Sequence, residues 1–224
     1  MSNLRLVIGN CNYSSWSLRP WFFLRHHQID FETTRVSLFS DTMERDLTPY
    51  FSDGKVPVLR HDDLEVWDSL AILEYLSELF PDKCGWPADK GARAVARSVS
   101  AEMHSSFPAL RGELPMNCRR RFPGFRLTPA ASRDLQRLFS VWRFCRQRFG
   151  REGPWLFGTF TVADCMYAPV VMRLVSYGVE LDEICGAYVD NLYRSPAAQD
   201  WIAIGKAEKE TIPDDEADWP SESI

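Results

Sequence analysis

Strand-like segments are confined to the first third of this 224-residue chain, and this limits its fold more than any other feature. Residues 4–8 place apolar side chains at 4, 6 and 8, residues 31–38 are rich in β-branched side chains, and residues 56–59 and 64–66 form a candidate hairpin. After Cys84-Gly85-Trp86-Pro87 only helical periodicity remains. We therefore predict a small α/β domain followed by an all-helical one.

Turn and capping signals bound the helices of the first domain. Leu18, Trp21 and Phe22 recur at helical spacing after the first strand, and Asp68 can cap a later helix that Pro81 ends. A short helix fits the polar segment between the second and third strands. The order through residue 80 is then βαβαββα.

The chain divides into two predicted domains, residues 1–81 and 88–206, joined by a linker at 82–87. The acidic segment 207–224 is predicted to be a solvated tail, because it carries many carboxylates and ends in a Pro/Ser-rich stretch. In the second domain the apolar periodicity predicts helices over 88–113, 129–149, 161–177, 182–193 and 195–206.

Composition excludes several classes of function. The net charge of −5 lacks the basic surplus of a nucleic-acid binder, and no apolar run reaches the ~18 residues of a membrane span. The six cysteines form no C-x-x-C pair, so neither a metal site nor a dithiol redox motif is expected. With no secretory signal at the amino terminus, these thiols favour a reducing cytoplasm.

A cluster of hydroxyl groups lies just before the first helix, in Asn12-Tyr13-Ser14-Ser15-Trp16-Ser17. Unpaired N–H groups and the helix dipole favour an anion at such a position. A serine can equally be a simple N-cap. Both interpretations are compatible with the local sequence.

Two further dipeptides have the same ambiguity. Val56-Pro57 fits either an ordinary edge strand or a cis turn that exposes the backbone of Val56 to a ligand. Asp68-Ser69 fits either a helix cap or a site for an amino group and a carboxylate.

In combination these features resemble the cytosolic glutathione transferase superfamily over residues 1–206. The element Ser14-Ser15-Trp16-Ser17 resembles the serine-type active-site loop of the zeta class and related bacterial classes, and residues 160–164 resemble the capping box of the family's helical domain. The resemblance implies a thioredoxin-like first domain, an all-α helical bundle, glutathione as co-substrate, a small hydrophobic electrophile as partner, and a homodimer.

The resemblance also implies roles for single residues. Ser14, with Ser15 beside it, would donate a hydrogen bond to the glutathione sulfur. The remaining glutathione contacts would come from Lys55, Val56, Pro57, Asp68 and Ser69. A second-substrate pocket would draw on Tyr13, Trp16, Met103, His104, Phe107 and Arg111.

Two departures from the zeta pattern leave the activity within the family open. Trp16 stands where that class has cysteine, and Lys55 stands where it usually has glutamine. Three alternatives to transfer therefore remain: a glutathione-dependent isomerase, a thiol reductase using Cys11, and a non-catalytic binding module.

Overall fold

The N-terminal part of the protein is a four-stranded mixed sheet flanked by helices. In the computed structural model, which describes residues 3–223, the strand order is β2-β1-β3-β4, with β1 parallel to β2 and antiparallel to β3, and β3 antiparallel to β4. This confirms the predicted order βαβαββα. Residues 1, 2 and 224 of the predicted domain and tail lie outside the described residues. The elements are β1 (Leu4–Ile8), α1 (Ser15–His26), β2 (Glu32–Arg35), α2 (Met43–Leu47), β3 (Val58–His61), β4 (Leu64–Trp67) and α3 (Ser69–Leu79).

The second part is helical, as predicted, but its first helix is broken. Residues 88–113 form two helices, because Phe107 adopts a left-handed conformation (φ 61°) and precedes Pro108, which disfavours helical geometry in the residue before it. No helix among residues 3–223 has the length and apolar content needed to cross a membrane. The helices are α4 (Lys90–Ser105), α5 (Pro108–Glu113), α6 (Pro129–Phe149), α7 (Val162–Ser176), α8 (Glu183–Tyr193) and α9 (Pro196–Ala207).

Helix α1 joins the two parts, because it packs against α3 of the first part and against α7 and α9 of the second. Trp21 of α1 meets Trp201 of α9 edge to face, with ring centroids 5.1 Å apart. The capping box at the start of α7 is present: Asp164 Oδ2 accepts from the Thr161 amide at 2.8 Å, and Thr161 in turn caps the Asp164 amide. One continuous apolar core thus fixes α1, and with it the hydroxyl loop, relative to the helical part.

The prediction of a solvated tail is wrong. Residues 208–223, which we call the C-terminal strap, run back across the junction of the two parts. Glu208 accepts hydrogen bonds from the amides of Cys11 (2.8 Å) and Asn12 (3.0 Å), and its side chain is only 7% exposed. Glu208, Glu210 and Glu216 of the strap are therefore held by amide or arginine donors that lie far away in sequence.

The end of the strap is also ordered by the helical part. Two residues of the strap, β6 (Glu222–Ser223), pair antiparallel with β5 (Arg120–Arg121). Trp219 donates from its indole N–H to the carbonyl of Pro123 at 3.0 Å. The prediction that the second part contains no strands is therefore also wrong. The two strands found there are short, with two residues each.

Candidate active site

Ser14 occupies the N-cap position of α1 but does not cap it. Its hydroxyl donates to Ser17 Oγ at 2.8 Å, and Ser17 Oγ also accepts from the Gly9 amide at 3.1 Å. Among the described residues no side chain caps the first turn of α1. The positive end of the helix is thus left without an internal acceptor, which favours an anion beside Ser14.

Two cavities meet next to this loop. The sheet-edge cavity has a volume of about 800 Å³ and the interdomain cavity about 580 Å³. Both are lined by Trp16, Leu38 and Val56. All five residues predicted to contact glutathione line the sheet-edge cavity, namely Lys55, Val56, Pro57, Asp68 and Ser69. Of the other predicted residues, the interdomain cavity is lined by Tyr13, Ser14, Ser15, Trp16 and Arg111.

The wall of the sheet-edge cavity combines backbone and charged groups. The Val56–Pro57 peptide bond, for which the sequence left two geometries open, is cis. Lys55 is exposed and pairs with Asp53 at 3.0 Å. Its ammonium group can therefore leave the Asp53 carboxylate and bind a carboxylate of a ligand instead. This wall can therefore offer both main-chain pairing and a positive charge.

Asp68 connects the two parts of the molecule. Its Oδ1 caps α3 by accepting from the amides of Leu70 (2.8 Å) and Ala71 (3.2 Å), and its Oδ2 lies 2.6 Å from His104 Nε2 of α4. Burial acts to raise the pKa of Asp68, but the hydrogen bonds from His104 and the two amides outweigh it and hold the pKa below its usual range. Asp68 is thus both a cap and a charged group on the cavity wall.

Arg19 lies buried beneath this wall and was not predicted from the sequence. Its Nη1 donates to Ser69 Oγ at 3.1 Å, and its guanidinium lies 4.2 Å from the ring centroid of Trp16. Burial, with the nearby charges of Arg111 and Arg173, lowers the pKa of Arg19 to about 9. The guanidinium of Arg111 lies 4.7 Å from the same Trp16 ring.

Arg173 of α7 is the second residue that the sequence analysis missed. It is 6% exposed; its Nη2 donates to Ser15 Oγ at 3.3 Å and its Nε to the Leu114 carbonyl at 2.7 Å. Burial, followed by the charge of Arg111, lowers the pKa of Arg173 to about 10. An arginine surrounded by apolar residues in a helix that is apolar on nearly all sides is a signal that could have identified it, since such a charge must be buried with partners.

Of the residues predicted for the second-substrate pocket, Met103, His104 and Phe107 line neither cavity, whereas Tyr13 lines the interdomain cavity but has its hydroxyl bound elsewhere. Met103 and Phe107 are buried in the core. The hydroxyl of Tyr13 is held between Arg119 Nη2 (2.7 Å) and Glu216 Oε1 (2.5 Å). Burial and the Glu216 hydrogen bond raise the pKa of Tyr13. Tyr13 therefore anchors the C-terminal strap and leaves the cavity-facing hydroxyls to the serines.

Cys11 is unsuited to redox chemistry in this arrangement. Its side chain is 1% exposed, and burial followed by the charge of Glu208 raises the pKa of its thiol well above the usual value. A reactive cysteine needs the opposite environment, with a stabilised thiolate and access to solvent. The thiol reductase alternative thus loses its nucleophile.

Two family models match the chain. The glutathione S-transferase N-terminal domain matches residues 13–79 and the glutathione S-transferase C-terminal domain matches residues 128–203, together well over half of the protein. The chain belongs to the glutathione S-transferase superfamily. The thioredoxin-like first domain and the helical second domain that the resemblance implied are confirmed.

Individual members of the superfamily are similar over shorter regions. A probable maleylacetoacetate isomerase of Caenorhabditis elegans is 34% identical over 49% of this chain and 51% of its own length. Glutathione S-transferase 1 of Dianthus caryophyllus is 32% identical over 50% of this chain and 52% of its own length. The aligned part of the chain thus spans about half the length of the curated relatives that it matches.

The similarity to solved structures extends over the whole fold. A glutathione transferase homologue from Burkholderia gl BGR1, solved with bound glutathione, has a TM-score of 0.69 and 27% identity over 92% of this chain and 100% of its own. The tau class glutathione S-transferase of mango, Mangifera indica, has a TM-score of 0.65 at 20% identity, over 89% of this chain and 92% of its own.

Proposed function

We propose that this protein is a glutathione transferase that binds glutathione in the sheet-edge cavity and stabilises its thiolate at Ser14. The observation that carries the proposal is the position of Ser14. It lies at the uncapped start of α1, on the wall of the interdomain cavity, next to the point where this cavity meets the sheet-edge cavity. A sulfur placed there is accessible to a second substrate in the interdomain cavity.

The sheet-edge cavity supplies a partner for each part of the tripeptide. Asp68 and Ser69 suit the γ-glutamyl amino and carboxylate groups, and the main chain of Val56, next to cis Pro57, suits the cysteinyl backbone. Lys55 suits the glycyl carboxylate. The charges and hydrogen-bonding groups along this wall of the cavity thus complement those of the tripeptide.

Ser14 and the start of α1 are sufficient to activate the thiol. A free thiol near pKa 8.5 is about 3% ionised at neutral pH, and lowering its pKa by about two units requires ~2.7 kcal/mol. One hydrogen bond to a charged acceptor contributes about 1.5–3 kcal/mol and a helix end about 0.3–1 kcal/mol. The thiolate then bonds to the electrophilic carbon, and the leaving group departs with its electron pair or the adduct takes up a proton.

Replacing Ser14 by alanine tests this activation. We expect Ser14→Ala to raise the pKa of bound glutathione by about one to two units and to change its affinity only severalfold. The measurement is the ultraviolet absorbance of the thiolate against pH. Ser98→Ala, which removes an exposed hydroxyl on α4, is the control and should leave the titration unchanged.

Thermal unfolding tests the binding step by itself. Glutathione at 100 times its Kd should stabilise the protein by about 2.7 kcal/mol. An unchanged melting temperature at millimolar glutathione would exclude the proposed function. A shift in melting with an unaltered thiol titration in Ser14→Ala would move the activating role to Ser15 or Ser17.

Isomerisation is a second candidate function, favoured by the name of the relative from Caenorhabditis elegans. Both reactions begin with the same thiolate, but an isomerase regenerates glutathione whereas a transferase consumes it. Stoichiometric loss of free thiol during turnover identifies a transferase. Melting stabilisation without turnover of any electrophile would instead identify a non-catalytic binding module.

We propose that the protein acts as a homodimer in the cytoplasm. All six cysteines are free thiols, which suits the reducing compartment in which glutathione is abundant.

Phe51 is 77% exposed and packs edge to face on Trp67, which is itself 46% exposed. An exposed aromatic pair of this kind favours contact with a second copy.

A further inference from the structure

The interdomain cavity is not the apolar pocket expected for a purely hydrophobic electrophile. Its lining includes the apolar groups of Trp16, Leu38 and Pro108. It also includes two guanidinium groups, that of Arg111, which lies 4.7 Å from the Trp16 ring centroid, and that of Arg173; we call these two groups the cationic wall. A ligand that fills this cavity therefore touches apolar groups and the cationic wall together.

The two arginines of the cationic wall outnumber the one carboxylate that lines the cavity among the described residues, that of Asp215. Among residues 3–223 no carboxylate lies within ion-pair distance of Arg19, Arg111 or Arg173. The carboxylate of Asp215, on the C-terminal strap, lines the cavity but stays beyond that distance. Because burial weakens the solvation of these guanidinium groups, an anion that enters the cavity gains more than it would at an exposed arginine.

Arg111 is the arginine best able to bind such an anion. Its Nη1 donates to the His104 carbonyl at 3.3 Å, and its remaining guanidinium donors have no acceptor among the described residues. The stacking on Trp16 holds the group in place. Arg173 in contrast already donates to three acceptors, the carbonyls of Leu114 and Pro169 and the Ser15 hydroxyl.

The carboxylates of glutathione do not account for this charge. Their proposed partners, Lys55 and Ser69, line the sheet-edge cavity, whereas Arg111 and Arg173 line the interdomain cavity. We therefore propose, on the basis of the function proposed above, that the electrophile carries a carboxylate that Arg111 binds, while its apolar body lies against Trp16.

A matched pair of electrophiles tests the proposal. 4-Chloro-3-nitrobenzoate and 4-chloro-3-nitrobenzamide differ in charge but react in the same way: the sulfur–carbon bond forms, the carbon–chlorine bond breaks with release of chloride, and the thiol proton goes to solvent. Each kcat/KM is divided by the rate constant of the uncatalysed reaction with glutathione. We expect this normalised value to favour the benzoate by about tenfold or more.

Arg111→Gln keeps much of the side-chain volume and removes the charge. We expect its normalised benzoate value to fall about tenfold more than its benzamide value, and Arg111→Lys to retain part of the preference. Asp215→Asn removes the one acid that lines the cavity among residues 3–223 and should raise the preference for benzoate severalfold. A gain of this kind cannot come from damaged folding.

Other outcomes separate this proposal from the one on which it rests. Equal loss of both substrates in Arg111→Gln, with a raised pKa of bound glutathione, would mean that Arg111 serves the thiolate, and would overturn the carboxylate site while leaving the transferase intact. Wild-type turnover without preference for the benzoate would do the same. No glutathione-dependent turnover of either compound, with no thermal shift by glutathione, would overturn both proposals.

Discussion

Asp68 shows how one side chain can have a structural and a binding role that substitution separates. Asparagine caps helices about as well as aspartate and tolerates the positive φ of this position (73°). We expect Asp68→Asn to change the free energy of unfolding by less than about 1 kcal/mol at neutral pH. Its affinity for glutathione should fall about tenfold or more, because the charge facing the γ-glutamyl ammonium is lost. Denaturant unfolding and calorimetric titration measure the two effects.

The pH dependence of the same variant gives the sign of the electrostatic effect. The pKa of Asp68 is lower in the folded protein than its usual value, so the charged carboxylate stabilises the fold above about pH 4. This stabilisation disappears as the pH falls through the folded-state pKa. We expect the difference in stability between wild type and Asp68→Asn to shrink below about pH 4. A difference that grows on acidification would mean that burial dominates this carboxylate.

Single charges were the hardest features to predict from the sequence. Ser14, Asp68 and Val56 stand out in the sequence because they lie at turns and element boundaries, where capping and turn preferences depend on neighbouring residues alone. Arg19 and Arg173 lie within helices, and their burial depends on which elements pack together. Local sequence could indicate that each is unusual, but not that both approach the same serine loop.

The C-terminal strap makes a prediction at the level of a whole element. Glu208→Ala leaves the amides of Cys11 and Asn12 without their acceptor, and an orphaned buried donor costs about 1–3 kcal/mol. We expect a loss of about 2–4 kcal/mol in the free energy of unfolding, measured by chemical denaturation. Glu210→Ala is the matched control on the same strap. It removes an exposed pair with Arg35 and should cost less than about 1 kcal/mol.

Similar losses in the free energy of unfolding for Glu208→Ala and Glu210→Ala would show that the strap is held along its length by exposed ion pairs. The amides that Glu208 accepts from belong to the loop that ends at Ser14, so Glu208→Ala should also lower kcat/KM. If activity and stability are both retained, the strap does not hold this loop.

The regular elements were predictable because their signals are local, whereas the strap was not. Apolar periodicity located α6 to α9 to within a residue or two at each end. An acidic, Pro/Ser-rich composition typically predicts a solvated segment, and only the fold reveals its amide donors nearly 200 residues earlier in the chain and an arginine donor 175 residues earlier. The composition of a segment does not indicate which distant residues it will contact in the folded protein.

At the scale of the whole molecule, the candidate site exists only where separate parts of the chain meet. The N-terminal domain supplies the serine loop and Asp68, the helical domain supplies His104, Arg111 and Arg173, and the strap supplies Asp215. The sequence predicted the division into two domains and most of the residues that the N-terminal domain contributes to the site. It could not predict the cationic wall, because that depends on the relative placement of α1, α5 and α7.

A second copy of the chain is the remaining partner to test. Wild type should sediment at twice the chain mass of 25.8 kDa. Burying a phenylalanine contributes about 1.5–3 kcal/mol, and in a two-fold symmetric dimer one substitution acts twice. We therefore expect Phe51→Ser to weaken the dimer by about 10²- to 10⁴-fold, as measured by analytical ultracentrifugation over a dilution series. Phe144→Ser, which changes a 48% exposed phenylalanine on α6, is the control and should still sediment as wild type does. If Phe144→Ser rather than Phe51→Ser dissociates the dimer, the interface lies on the helical domain and the aromatic pair at Phe51 has another partner.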